Sequence, residues 1–148
     1  MSAPVPPTPA TVLVCDDDIS IRQLVAQRLR KEGFEVIDVR NGLEGYGCCD
    51  PTALPAGVAP RVATPIVPSV VVTDLQMPAM SGIELAVRLR AFAPTSQVPV
   101  LMLTARGYIL DQGEVARTNI RVMMAKPFAG QQLVDKVRAL LANPAQAA

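Results

Sequence analysis

The stretch VVVTDLQMPAMSG, residues 70–82, constrains the fold more tightly than any other part of the chain. Its valines are branched at Cβ, stiff at χ1 and suited to a pleated sheet. The run is apolar without alternation, the pattern of a strand buried on both faces in a parallel sheet. It ends in Asp74, and a proline-containing segment then turns the chain away. In open parallel α/β sheets the carboxyl ends of the strands form the edge where ligands bind, so Asp74 falls at a working position. An aspartate there also suits the turn as a simple hydrogen-bonding residue, and alone it does not define a site.

Three other apolar runs end in polar residues. TVLVC stops at Asp16, Asp17 and Asp18; VPVLMLTA carries Thr104 at its end; IRVMMAKPF ends in Lys126 before Pro127. FEVIDV reads as a further strand. Between the strands lie helical patterns. SIRQLVAQRLRKEG places Ile21, Leu24, Val25 and Leu29 on one face, with Ser20 as N-cap and Gly33 as the stop. NGLEGYGCC reads as a short helix that its interior glycines oppose, each by roughly 1 kcal/mol. SGIELAVRLRAF opens with Ser81 and Glu84 in capping-box spacing, followed by apolar Ile83, Leu85, Ala86, Val87 and Leu89. RGYILDQGEVARTN is a weak helix capped at Asp111, and AGQQLVDKVRALL is amphipathic through Leu133, Val134, Val137, Leu140 and Leu141. Strands alternating with helices predict a doubly wound, five-stranded parallel sheet in an α/β domain.

The chain has 148 residues, enough for one domain and its core. Aromatics are only 3% of it, so the core must be aliphatic. The proline-rich segment 1–10 is expected to be a disordered tail, 11–142 the domain and 143–148 a C-terminal tail. Pro51, Pro55, Pro60, Pro65 and Pro68 make 50–69 an extended surface loop inserted in the domain. A net charge of +1 argues against nucleic-acid binding, and no apolar run is long enough to cross a bilayer, so the chain reads as cytoplasmic. Its three cysteines read as free thiols. The absence of histidine excludes Ser-His-Asp and Cys-His catalysis, histidine-ligated metals and a phosphohistidine carrier role.

The sheet brings Asp16, Asp17, Asp74, Thr104 and Lys126 to one edge. Carboxylates about 4 Å apart repel by roughly 4 kcal/mol per pair at an effective dielectric near 20. Protonation of one acid offsets this, but a divalent cation does so better, and an all-oxygen donor set with room for water suits Mg²⁺. The backbone carbonyl of Gln76 is positioned in sequence to complete the protein ligands. Asp74 is then a carboxylate nucleophile toward phosphorus, with Thr104 and Lys126 holding the transferred oxygens.

With VLVCDDD, VVVTDLQMPAMSG, LMLTA and AKPF in this order, residues 11–142 resemble the receiver domain of bacterial two-component response regulators. The intervals from Asp74 to Thr104 and from Thr104 to Lys126 are those expected for that family. The resemblance implies a flavodoxin-like receiver fold with strand order 2-1-3-4-5 and a cis peptide between Lys126 and Pro127. It implies Asp74 as phosphoacceptor, Asp16, Asp17 and the Gln76 carbonyl as Mg²⁺ ligands with Asp74, Thr104 as switch hydroxyl and Lys126 as phosphoryl partner. Gln76 and Arg106, two positions after Asp74 and Thr104, are expected to flank the water that hydrolyses the acyl phosphate.

The chain departs from the family at Met123, where an aromatic residue often stands three positions before the lysine, and in its long 50–69 loop. Expected partners are a sensor histidine kinase or phosphotransfer protein and a downstream protein target, as for a single-domain regulator that acts by docking. Two rival readings stand beside this one. One is a phosphorylation-independent interaction domain. The other is a haloacid-dehalogenase-like phosphatase using Asp16 and Asp18 as its D-x-D pair, although only Asp135 stands where that family needs a later acidic pair.

Overall fold

The computed structural model of the protein describes residues 9–105 and 109–142. The expected tails, apart from Pro9 and Ala10, and Arg106 lie outside the described residues. The strands are β1 (Thr11–Cys15), β2 (Glu35–Val39), β3 (Val70–Asp74), β4 (Val100–Thr104) and β5 (Ile120–Ala125). The helices are α1 (Ile19–Lys31), α2 (Gly42–Cys49), α3 (Gly82–Ala91), α4 (Gln112–Ala116) and α5 (Gly130–Ala142). All strand pairs are parallel, in the order β2-β1-β3-β4-β5 expected from the sequence.

Successive residues of a strand face opposite sides of the sheet, and the two cores follow from that alternation. Val12, Val14, Val70, Val72, Leu101 and Leu103 face one way and pack with Val25 and Leu29 of α1 and Leu133, Val134, Val137 and Leu140 of α5. Leu13, Cys15, Val71, Val100 and Met102 face the other way and pack with Tyr46, Cys48 and Cys49 of α2 and Leu85, Ala86 and Leu89 of α3. The central strands are therefore apolar on both faces up to their carboxyl ends, because each face has its own helical cover.

Two details of α1 differ from the sequence reading. Its N-cap is Asp18, not Ser20: the Asp18 carboxylate accepts from the backbone N–H groups of Ser20 and Ile21 at 2.9 and 3.3 Å. The third aspartate of the run is thus spent on orphan donors of the first turn. Leu24 does not join the buried face; it is 54% exposed, while Val25, Ala26 and Leu29 are buried. The buried stripe follows the spacing of Ile21, Val25 and Leu29, and Leu24 is rotated off it.

The short helix α2 forms in spite of its glycines, and tertiary packing supplies the reason. A Cβ on Gly45 would lie 2.6 Å from Cys15 Sγ, so only glycine lets this helix approach β1 so closely. Asn41 caps its start by accepting from Glu44 N–H at 2.9 Å. Ser81 caps α3 in the same way through Glu84 N–H at 3.2 Å, and Asp111 caps α4 through Glu114 N–H at 2.7 Å. The proline-rich segment begins with one 3-10 turn, Pro51–Ala53, and is exposed for most of its length. It is anchored by Ile66 N–H donating to Cys48 carbonyl at 2.9 Å and by Val62 and Ile66 packing on the core.

Candidate functional site

The carboxyl ends of β1, β3, β4 and β5 deliver Asp16, Asp74, Thr104 and Lys126 to one edge of the sheet. Lys126 follows β5 and is joined to Pro127 by a cis peptide bond, as expected. Its ammonium lies 3.1 Å from Asp74 Oδ1 and 3.2 Å from Asp16 Oδ2. Burial opposes the Lys126 charge, but the hydrogen bonds and opposite charges of Asp74 and Asp16 outweigh it and hold the ammonium's pKa above the ordinary lysine value.

Asp16 is fully buried, at 1% exposure. Burial pushes its carboxyl pKa up; the Asp18 N–H bond at 2.9 Å and the Lys126 charge pull the other way without cancelling that rise. Asp17 is exposed beside it. One carboxylate oxygen from each of Asp16, Asp17 and Asp74 lies within 4.8 Å of the others. Among the described residues, three acids thus share a space into which a single ammonium reaches. The donor set is all oxygen, hard and short of compensating positive charge, which fits Mg²⁺. Gln76 sits exposed on the turn after Asp74.

That turn is built for close approach. Gly82 donates its N–H to Leu75 carbonyl at 2.9 Å, and a Cβ there would strike the Asp74 carbonyl oxygen and come within 2.7 Å of Met102 Sδ. The glycine of MPAMSG lets α3 start directly behind Asp74. Ala79 takes a positive φ of 69° in the same turn.

Thr104 is buried and stands opposite Ala125 in the ladder. Among the described residues its hydroxyl makes one weak bond, to Ala105 carbonyl at 3.3 Å, and none to Asp74 or Lys126. Met123 is half-buried, paired in register with Met102 and packed against the α2/α3 core. Position 106 lies outside the described residues. Asp18, which the phosphatase reading needs as a second acid, is occupied at the start of α1.

Sequence reasoning missed Arg22. Its Nη1 donates to the Asp16 carbonyl at 3.0 Å and its Nε to Asp38 Oδ2 at 3.3 Å, tying β1 to β2 directly below the acidic cluster. An arginine one turn past Asp18 is visible in the sequence; its partner Asp38 is found only once β2 is placed beside β1.

Comparison with known proteins agrees with this fold. The family model described as the response regulator receiver domain matches residues 12–138, and the chain belongs to that family. It is 31% identical over 130 residues to the DNA-binding dual master transcriptional regulator RpaA of Synechocystis, covering 88% of this chain and 48% of that protein. It is equally similar to the transcriptional regulatory protein SrrA of Staphylococcus aureus, covering 88% of this chain and 47% of the relative. The chain therefore spans about half the length of the curated relatives it matches. Among solved structures, the chemotaxis response regulator CheY4 of Vibrio cholerae aligns with a TM-score of 0.72 and 27% identity, over 88% of this chain and 98% of that one. A response regulator from Chloroflexus aurantiacus aligns at 0.74 and 29% identity, over 92% and 100%. No helix among the described residues is long and apolar enough to cross a membrane.

Proposed function

We propose that the chain accepts a phosphoryl group on Asp74 in a Mg²⁺-dependent reaction and signals by docking to a partner protein. The observation that carries this reading is the Lys126 ammonium bridging Asp74 and Asp16 within a group of three carboxylates at the carboxyl edge of the sheet. An oxygen of Asp74 attacks phosphorus in line with the donor's leaving group. The P–O or P–N bond of the donor breaks as the acyl phosphate forms, and the departing group leaves with the bonding pair and takes up a proton. Lys126 holds one of the new phosphoryl oxygens, and Thr104, with a hydroxyl only weakly engaged, turns to another. Asp16, Asp17, Asp74 and the Gln76 carbonyl would hold Mg²⁺, which supplies positive charge to the phosphoryl oxygens when bound. Met123 takes the place of the usual aromatic residue in the switch that follows, and Gln76 and Arg106 flank the hydrolytic water.

The donor in this reading is a phosphohistidine on a sensor kinase or phosphotransfer protein, and the output is a protein contact in the cytoplasm. The near-neutral charge favours protein rather than nucleic acid as the direct partner of these residues. Residues 11–142 are read as the receiver unit, with 1–10 and 143–148 as tails.

Intact-mass measurement after incubation with acetyl phosphate and Mg²⁺ tests the reading. One phosphoryl group is expected on the wild type and none on Asp74→Asn, and label on Asp16 would instead favour the phosphatase chemistry. Fluoroberyllate is expected to bind only when Mg²⁺ is present.

A further inference from the structure

The 50–69 segment does more than lengthen a loop: it lays Arg61 across the open edge of the sheet. Three adjoining cavities of about 260, 210 and 200 Å³ meet at this residue. Arg22, Arg30 and Arg40 line the same groove, with Asp38 and Glu44 as its acids. Four guanidinium groups therefore face two carboxylates. Asp38 is shared by Arg22 at 3.3 Å and Arg30 at 3.1 Å, and Glu44 pairs with Arg40 at 2.8 Å. Arg61 makes no close ion pair among the described residues, although its charge acts on Glu44; its hydrogen bond is from Nε to the Asp38 carbonyl, at 3.5 Å.

The backbone of β2 narrows the choice of occupant. Glu35 N–H and Val39 carbonyl bond toward β1, so by alternation Val36 and Asp38 turn their carbonyls outward. Both outward carbonyls are covered by arginine: Val36 by Arg30 at 3.0 Å and Asp38 by Arg61. A partner cannot extend the sheet here by strand pairing without displacing them. What the groove offers instead is surplus guanidinium charge, with the Arg40 side chain 72% exposed and Arg30 49% exposed. The groove's walls are apolar, with Leu54, Ala59 and Pro60 at one end and Val36, Ile37 and Val62 at the other. Planar, weakly hydrated guanidinium groups next to apolar side chains match carboxylates flanked by aliphatic residues. A bare phosphate would use the charge and leave these apolar walls idle.

We infer that the groove between β2, α2 and the 50–69 loop docks an acidic, aliphatic peptide segment of a partner protein through Arg40 and Arg61. This surface is separate from the Asp74 edge and does not depend on phosphorylation.

The test is a titration of the full chain, uniformly labelled with ¹⁵N, using a fluorescein-labelled eight-residue peptide of glutamate, aspartate and leucine. Its glutamine and asparagine counterpart, inorganic phosphate and a ten-residue oligouridine serve as competing probes. The acidic peptide is expected to shift the signals of Asp38, Arg40, Glu44 and Arg61. Arg61→Ala and Arg40→Ala together should weaken binding by tenfold or more, while leaving the rest of the spectrum and phosphorylation from acetyl phosphate unchanged. Both side chains are exposed, so the double variant keeps the core. Shifts elsewhere, equal binding of the neutral peptide, or binding that survives the double substitution would overturn the proposal. Inorganic phosphate matching the peptide would reduce the groove to a small-anion site, and tighter oligouridine binding would make it a nucleic-acid surface; either result also overturns it.

Discussion

The Lys126 ammonium and the Asp74 carboxylate meet at 3.1 Å across the ends of β5 and β3, two strands that β4 separates in the sheet. The contact spans the strand carrying Thr104, so the three groups converge above β4. The same ammonium also reaches Asp16, just past the end of β1, and one positive charge ties both ends of the cluster together.

This arrangement predicts opposite effects from one substitution. Lys126→Met removes the donor to a phosphoryl oxygen, and Asp74 labelling by acetyl phosphate should slow by about a hundredfold, the order found for losing one oxyanion donor. It also removes the charge that competes with a cation for Asp16 and Asp74. Mg²⁺ affinity, followed by calorimetry, should therefore rise by about tenfold or more, given the strength of such pairs at an effective dielectric near 20. Parallel losses of labelling and Mg²⁺ affinity would mean that Lys126 only holds the local fold.

Asp18 gives a second prediction, because its carboxylate serves α1 rather than the site. Asp18→Ala should cost about 1 kcal/mol in urea unfolding, as the loss of an N-cap does. Asp74 phosphorylation in the variant should stay within a factor of two of wild type. A large loss of phosphoryl chemistry with unchanged stability would restore Asp18 as a reacting acid.

The thiols set a third. Burial pushes Cys48 up to about 11 and Cys49 up to about 12, and raises Cys15 as well. A pKa raised in the folded state means that the native protein keeps protons that the unfolded chain releases. The stability from this source is complete below the unfolded thiol value near 8.5 and is lost as pH rises toward the folded values. Each thiol contributes a decline of about 1.4 kcal/mol per pH unit within that window. Urea midpoints between pH 8 and 11 should therefore fall, and Cys48→Ala with Cys49→Ala should make the decline shallower by about 3 kcal/mol per pH unit. The native thiols should also resist iodoacetamide at pH 8 and react once the chain is unfolded. Rapid labelling of the folded protein would contradict this.

Legibility from sequence followed the range of the forces involved. The strands of the sheet were visible because parallel burial on both faces writes uninterrupted apolar runs such as VVVTD and VLMLT. The site acids were visible because each stands where such a run stops. Asp18 was misread because three consecutive aspartates offer the same chemistry, and only the position of the first turn decides which one caps it. Leu24 was misread because a helix face is defined by what covers it, and α1 is covered along Ile21, Val25 and Leu29. The glycines of α2 argued against a helix locally and turned out to permit one, since the gain lies in the approach of Gly45 to Cys15. The roles of Arg22 and Arg61 depend on Asp38 of β2, a partner that only the placed strand reveals.

The last prediction tests how the turn after β3 sets the reach of Asp74. Gly82 starts α3 so close to β3 that a methyl group there would meet the Asp74 carbonyl oxygen and crowd Met102 Sδ. The sulfur can move, since methionine is flexible and unbranched, but the carbonyl belongs to the strand that carries the phosphoacceptor. Relief must come from α3 moving away or Asp74 shifting toward Lys126. Gly82→Ala should thus lower stability by about 1–3 kcal/mol, the usual cost of overpacking, despite alanine's better helix propensity. It should also slow Asp74 labelling at saturating Mg²⁺, because an attack needs its oxygen aligned to a fraction of an ångström. Met102→Ala in the same background relieves only the sulfur contact. If that second change restores both stability and labelling, the constraint lies in core packing; if labelling stays low, it lies in the backbone of Asp74.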